Sequence, residues 1–186
     1  NGIGASRSIK APPARLAANQ WIIGEVAQTV EQLDRAMAEL RFDAAANAIY
    51  HFTWDRFCDW YLELIKPVFQ GDQDTPGAQE TRAVAGWALD QILVMLHPFM
   101  PFITEELWQA LQQREDGDSI MTAQQPKAGS TDSELLNQFE QVKQVIAGVR
   151  TIRLEKNIPN KDALELQVIG GHNDRYNSVI TKMCNL

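Results

Sequence analysis

One segment, residues 44–66, most limits what this chain can fold into. Its sequence, AAANAIYHFTWDRFCDWYLELIK, contains neither proline nor glycine, and Pro67 follows it. As a helix it is apolar around most of its circumference, so it is stable only where other helices cover it on several sides. The segment therefore predicts a central helix of a bundle. Asp43 is the expected N-cap, and Pro67 is expected to end the helix.

Four further helices are predicted around this segment. The first begins near Pro13 or Ala14, and its apolar residues recur at steps of three and four, which places them on one stripe. A third helix is predicted at 79–96 and a fourth with its N-cap at Thr104, since the two prolines of residues 97–102 break the helix between them. A fifth begins after Asp132 and Ser133 and ends near residue 157. The residues of the first stripe are Ile23, Val26, Val30, Leu33, Met37 and Leu40.

The ends of the chain differ in character from this helical region. Residues 1–13 are rich in Gly, Ser and Pro and are predicted to form a loose arm. Residues 164–169, LELQVI, alternate between apolar and polar, which is typical of a half-buried strand. The sequence thus predicts an all-α bundle of four to five helices at 14–157. A small α/β appendage is predicted at 158–186, and we expect it to be truncated.

Composition and charge exclude several classes of protein. The net charge is -7, with 17 basic and 24 acidic residues, so a sequence-blind nucleic-acid binder is not expected. No apolar run approaches the ~20 residues that cross a bilayer, and no membrane partner is predicted. Cys58 and Cys184 form no disulfide framework, which favours a reducing cytoplasm. Because the chain begins with Asn1, we expect it to be a piece of a longer protein.

No catalytic or metal-binding set emerges from the residues. Asp55, Asp59 and Glu63 share one helical face, and a solvated stripe with ion pairs to Arg56 and Lys66 is the favoured interpretation. A stand-alone enzyme that uses Asp55 and Asp59 is the alternative. The histidines are isolated from one another, and no glycine pattern would hold a phosphate. Neither a catalytic residue nor a metal ligand is predicted in this chain.

Two small groups of residues could contact RNA. Lys143, Arg150 and Arg153 follow at steps of seven and three, which places them on one helix face. Arg41 and Phe42 form a second group at a helix–helix junction, where a guanidinium and an exposed ring can hold phosphate and stack an unpaired base. Simpler interpretations remain open. The first group also fits the solvated side of an amphipathic helix, and Phe42 also fits a packing residue at the start of a helix.

Three segments carry a family resemblance. They are RFDAAANAIYHFTWDRFCDWYLELIKPVF at 41–69, LHPFMPFITEELWQAL at 96–111 and VIAGVRTIRLEKNIPNKDALEL at 145–166. Together they resemble the valyl-tRNA synthetases, a family of class I aminoacyl-tRNA synthetases. The resemblance covers the anticodon-binding helical domain and the start of the segment after it, over about residues 14–170. Isoleucyl and leucyl enzymes share the HPxxPFxxEE pattern, whereas FTWDRFCDWYLE favours the valyl type.

The resemblance implies that a full-length, monomeric cytoplasmic enzyme attaches valine to its tRNA with ATP and Mg²⁺. The family's ATP-site signatures, of the HIGH and KMSKS type, do not occur in this chain, so no cofactor is expected in it. This region would hold the anticodon stem-loop of the valine tRNA, with most tryptophans, Trp54, Trp60, Trp87 and Trp108, in the core. The residues predicted to contact RNA, chosen by charge, aromaticity and expected exposure, are Arg41, Phe42, Arg56, Lys143, Arg150 and Arg153.

Two rival functions remain at this point besides the stand-alone enzyme. The same region of an isoleucyl-type synthetase would keep the fold and change the tRNA. A helical protein-interaction module without RNA binding would instead present an exposed apolar groove.

Overall fold

The computed structural model describes residues 10–72, 74–127, 129, 132–169 and 174–186. The chain falls into two compact units, unit 1 at Asn1–Thr131 and unit 2 at Asp132–Leu186. The fifth predicted helix therefore belongs to the same unit as the C-terminal segment. The predicted domain limits at residues 13 and 157 stay a prediction. Residues 1–9 of the predicted arm lie outside the described residues.

The structure is helical, which confirms the predicted fold class. Unit 1 contains α1 (Ala17–Ala38), α2 (Phe42–His51), a π-helical segment (Phe52–Tyr61), α3 (Leu62–Gln70), α4 (Pro76–Leu96), α5 (Pro101–Leu111) and a 3-10 turn (Ile120–Thr122). Unit 2 contains α6 (Ser133–Glu155), a second 3-10 turn (Asp174–Tyr176) and α7 (Asn177–Cys184). No helix of the described part is both long and apolar enough to cross a membrane.

The predicted α/β appendage is not confirmed. Residues 164–169 form no strand, and the described residues contain none elsewhere. A strand needs a neighbour to pair with. The backbone N–H of Leu164 donates instead to the carbonyl of Asn185, at 3.2 Å, next to the end of α7. Leu164 is half-buried and residues 165–169 are exposed, so the alternation of apolar residues gave this segment neither a strand partner nor a covered side.

The central helix of the prediction is one continuous rod, α2–π–α3, but both of its ends differ from expectation. Its N-cap is Arg41, and Asp43 lies in the first turn, where its charge complements the helix dipole. Pro67 lies inside α3, which continues to Gln70 and ends at Gly71. The side chains that follow Pro67, Val68 and Phe69, are half-buried, and their packing stabilises the last turn although Pro67 contributes no backbone N–H.

Two other helix starts differ for identifiable reasons. Helix α1 begins at Ala17 because the Glu80 carboxylate accepts hydrogen bonds from the backbone N–H groups of Arg15 and Leu16, at 3.0 and 2.9 Å. Helix α5 begins at Pro101, since proline suits the first helical position. Thr104 is therefore a buried residue inside α5 and not its N-cap. By contrast, Asp132 caps α6 as predicted, accepting from the N–H groups of Glu134 and Leu135.

Three contacts fix the direction of the unit 1 helices. Arg56 pairs with Glu25 and the Tyr61 hydroxyl donates to Asn19, so the α2–π–α3 rod runs antiparallel to α1. Glu80, near the start of α4, binds the start of α1. Since α4 also packs along both α2 and α3, it runs parallel to α1. The α1–α2 turn with the first residue of α2 (39–42) and the α4–α5 turn with the first residues of α5 (97–103) therefore lie at the same end of unit 1, which we call the turn end.

Glu105 ties the loop after α5 to that helix. Its carboxylate accepts from the Ser119 hydroxyl at 2.7 Å, from the Ile120 N–H at 3.1 Å and from the Gln109 amide at 2.8 Å. Although partial desolvation acts in the opposite direction, these hydrogen bonds lower the pKa of Glu105 below its ordinary value of 4.5. The ionised form is therefore the one that the folded state stabilises.

We expect Glu105→Gln to destabilise the chain near neutral pH and to matter less in acid. A lowered pKa contributes stability above the ordinary value, and this stability is lost as the pH falls through the folded-state pKa. Urea unfolding of both proteins at several pH values between about 7 and 3 checks this. A stability difference that stays constant or grows toward low pH would contradict the assigned role of the carboxylate.

Candidate nucleic-acid interface

The α1–α2 turn is built so that Arg41 and Phe42 point outward. Helix α1 ends in a left-handed residue, Leu40, with φ of 57°. The N–H of Arg41 donates back to the Ala36 carbonyl at 2.8 Å, and that of Leu40 donates to Met37 at 3.1 Å. This is the bonding pattern of a Schellman turn. It reverses the chain within three residues, so α2 begins with both predicted contact residues exposed.

Large apolar side chains are exposed at the turn end from both of its turns. Phe42 is 54% exposed and Phe102 is 89% exposed, and Leu40, Met100 and Ile103 are exposed beside them in the sequence. Single exposed apolar residues are ordinary, but several at one end of a bundle mark an interaction surface. Arg41 contributes positive charge to the same end.

Arg56 is occupied by a structural contact. Its guanidinium pairs with the buried carboxylate of Glu25, which also accepts from the Trp21 indole N–H at 3.0 Å. The Arg56 side chain keeps 35% of its surface exposed. A buried carboxylate needs a nearby cation, so this residue first stabilises the packing of α1 against the π segment.

The three basic residues predicted on one face of α6 do not share one environment. Arg150 is exposed. Lys143 pairs with Glu140 one turn earlier, and its side chain is only 14% exposed. Arg153 is 4% exposed. The spacing places these residues at related angles around the helix, but it does not show which of them the C-terminal segment covers.

Arg153 holds the end of unit 2 together. Its Nη1 donates to the Pro159 carbonyl at 2.9 Å, and its Nη2 lies at 2.9, 2.8 and 3.2 Å from the carbonyls of Asp162, Cys184 and Asn185. These contacts join the end of α6, the segment after it and the end of α7. The guanidinium has no exposed edge for a phosphate. We therefore leave Arg153 out of the proposed RNA contacts.

Two exposed aromatic residues were missed by the sequence interpretation. Trp54 was expected in the core, yet it and Tyr50 are each 57% exposed on the α2–π rod. Trp87 and Trp108 are buried as expected, and Trp60 is half-buried. The step of five between the buried residues Phe52 and Phe57 could have shown the difference, because it interrupts the helical period of three and four.

The acidic stripe behaves as a set of exposed ion pairs. Asp55 binds His51 at 2.9 Å, Glu63 pairs with Lys66, and Asp59 is exposed beside them. This arrangement favours the solvated-stripe interpretation over a stand-alone catalytic pair. Over the part of the chain that the structure describes, no three His, Cys, Asp or Glu residues gather in a way that could hold a metal ion. That no cofactor binds in this chain stays a prediction.

Unit 2 contains the kind of groove that the protein-interaction rival predicted. It has a volume of about 660 Å³ and lies between α6, residues 164–168 and α7, with Val142, Val145 and Leu166 among its lining residues. An apolar groove alone does not identify a ligand. The comparisons below favour the tRNA-related alternative.

Comparison with known proteins gives one consistent match. The family described as the anticodon-binding domain of tRNA ligase matches residues 19–168. The valine–tRNA ligase of Parabacteroides distasonis is 48% identical over 96% of this chain and 20% of its own length. That of Rhizorhabdus wittichii is 53% identical over 86% of this chain and 18% of its own, and that of Sphingopyxis alaskensis is 43% identical over 100% and 23%. The chain spans about a fifth of the length of these relatives.

Proposed function

This chain belongs to the family of anticodon-binding domains of tRNA ligases, and we propose that it holds the anticodon stem-loop of a valine tRNA within a valine–tRNA ligase. In that enzyme ATP and Mg²⁺ act in a region outside this chain, and valine is joined to the tRNA there. The proposal includes a cytoplasmic location and a monomeric enzyme. The valine assignment is supported by the names of the relatives.

The observation that carries the proposal is the exposed, partly aromatic turn end. Single-stranded RNA is recognised by stacking its unpaired bases on rings and guanidinium planes and by hydrogen bonds to their edges. Phe42 supplies an exposed ring, and Arg41 beside it supplies a cation for a phosphate or for stacking. An anticodon loop presents unpaired bases of the required kind.

The acidic composition limits how the RNA can be held. At a net charge of -7, the chain as a whole repels a phosphate backbone. The contacts must therefore be local, and the proposed cations are Arg41 in unit 1 and Arg150 in unit 2. Lys143 and Arg56 each pair with a carboxylate. We therefore give these two residues only a secondary role in binding the RNA. Few phosphate contacts predict a shallow dependence of affinity on salt.

We expect Phe42→Ala and Arg41→Ala each to weaken binding of a valine anticodon stem-loop RNA by about tenfold, since stacking of one base contributes about 1–3 kcal/mol. Fluorescence anisotropy of labelled RNA measures the affinity. Lys66→Ala, an exposed cation in α3 at the opposite end of unit 1, and Met121→Ala, an exposed apolar residue, are the controls and should bind as the parent does. Parent-like binding by both turn-end variants would refute the placement of the RNA at the turn end.

A further inference from the structure

A cavity of about 810 Å³ lies in unit 2, where helices α6 and α7 both end. Helix α6 contributes Arg150 and Arg153 to its lining, and helix α7 contributes Lys182. The segment 157–160 after α6 and Asn185 after α7 also line it. The volume is within the range of ligand sites, about 300–1,000 Å³, and it is larger than a single small ion requires.

The lining of this cavity is basic, although the chain is acidic. Its charged members are Arg150, Arg153 and Lys182, and none of the described lining residues carries a carboxylate. Of the 17 basic and 24 acidic residues of the chain, 10 and 17 lie in unit 1 and seven of each lie in unit 2. The whole excess of negative charge thus belongs to unit 1, and a phosphate is repelled less at unit 2.

Arg153 builds the wall of the cavity and offsets the negative charge of two helix ends. Helix C-termini carry partial negative charge, which by itself would repel an anion. The Arg153 guanidinium donates to the Cys184 carbonyl at the end of α7, at 2.8 Å, and to the Pro159 carbonyl after α6, at 2.9 Å. The N–H of Ile158 donates to the Arg153 carbonyl at 2.8 Å, which fixes the turn after α6. The wall is therefore held in place before any ligand binds.

Arg150 and Lys182 are the cations that a ligand in this cavity can reach. Both residues are exposed, and they belong to different helices, so a ligand that contacts both must extend from α6 to α7. Within the part of the chain that the structure describes, neither an ion pair nor a hydrogen bond engages the Lys182 ammonium. Two separated cations suit a ligand with more than one phosphate, because each can hold a different phosphate.

The other lining groups indicate an RNA backbone and not a base. Asn157 and Asn160 are exposed, and their amides can form hydrogen bonds with ribose hydroxyls. No aromatic ring is among the described lining residues, whereas proteins that hold unpaired bases stack them on rings. We propose that this cavity binds the ribose-phosphate backbone of the tRNA through Arg150 and Lys182, independently of base sequence, an inference that rests on the proposed function.

The test measures binding of the full chain to a valine tRNA transcript and to a copy with an isoleucine anticodon, at several salt concentrations. Arg150→Gln/Lys182→Gln should lose about fivefold in affinity for both RNAs at low salt. Its slope of log affinity against log salt should be shallower by about one to two, because two phosphate contacts are removed. The matched control Lys66→Gln/Lys127→Gln removes two exposed lysines of unit 1 and should behave as the parent does.

A second measurement needs no variant. Bound tRNA should protect the Lys182 amine of the parent chain from acetylation, followed by mass spectrometry, and should leave Lys66 as reactive as in the free chain. Circular dichroism before each titration shows whether the double variant keeps the parent's helical fold.

The outcomes separate this inference from the proposed function. If the double variant binds both RNAs as the control does, or if bound tRNA does not protect Lys182, the cavity does not hold the backbone and the proposed function stands. A loss of affinity confined to the valine anticodon also contradicts the inference, since it would mean that these residues recognise bases. If the parent does not prefer a valine anticodon over an isoleucine one, the proposed function itself fails, and this inference with it.

Discussion

Arg153→Ala should release the C-terminal part of unit 2, with a loss of about 3–5 kcal/mol in the free energy of unfolding of that unit. A buried guanidinium that bonds four backbone carbonyls cannot be removed without leaving several of those carbonyls unpaired, and each buried unpaired group costs about 1–3 kcal/mol. A unit as small as this one is stable by only a few kcal/mol. We therefore expect local unfolding rather than a small shift.

Two measurements on the full chain check this expectation. Native-state hydrogen exchange should lose protection in α7 while unit 1 keeps it. Burial raises the pKa of the Cys184 thiol, with Arg150 and Arg153 acting in the opposite direction, so its labelling by a thiol reagent should become faster once α7 opens. Arg150→Ala, which removes an exposed cation from the same helix, is the matched control. Unchanged exchange and labelling in Arg153→Ala would contradict the structural role.

Asn19→Ala should lower the free energy of unfolding of unit 1 by about 2–4 kcal/mol, because Asn19 joins three helical segments through a buried network. Its amide NH₂ donates to Glu80 and Thr81 of α4, at 2.9 and 3.1 Å. Its carbonyl accepts from the Tyr61 hydroxyl of the π segment at 2.8 Å. Alanine would leave the buried Tyr61 and Thr81 groups without these partners.

Urea denaturation measures this effect, and two further variants show whether the network causes it. Asn47→Ala, an exposed asparagine of α2, should change stability by less than about 0.5 kcal/mol. Tyr61→Phe should be costly in the parent but should add little to Asn19→Ala, since the two residues share one hydrogen bond. Additive costs would mean that Asn19 stabilises the chain in some other way.

The bundle was predictable because its helices carry strong periodic patterns. The middle of the α1 stripe, Val26, Val30 and Leu33, is buried as predicted, and Asp132 caps α6 as predicted. Met37 and Leu40, the last residues of that stripe, are exposed, and Leu40 lies beyond the end of α1. The errors occurred at helix ends whose positions depend on residues that are distant in the sequence. The start of α1 depends on Glu80 of α4, and α3 continues past Pro67 because the packing of the next turn outweighs one missing N–H.

The candidate site was predictable in part. Arg41 and Phe42 were identified because they lie between the apolar patterns of two predicted helices. Both residues are exposed in the structure. Arg153 was assigned to the solvent-exposed face of α6 because of its charge. It lies four residues after Val149, however, and so continues the buried stripe of Val142, Ile146 and Val149. Trp54 was assigned to the core through the family resemblance, although it is 57% exposed. In both cases the position of the residue in the helical period was given too little weight.

The most direct measurement is the affinity of this chain for a valine anticodon stem-loop, compared with that for the same stem-loop carrying an isoleucine anticodon. Both are measured at low and at moderate salt. We expect tighter binding of the valine RNA by about tenfold and a preference that persists as salt rises, because base contacts and not phosphates supply it. The account would be contradicted if the chain bound both RNAs with equal affinity and if both affinities were lost as the salt concentration rises.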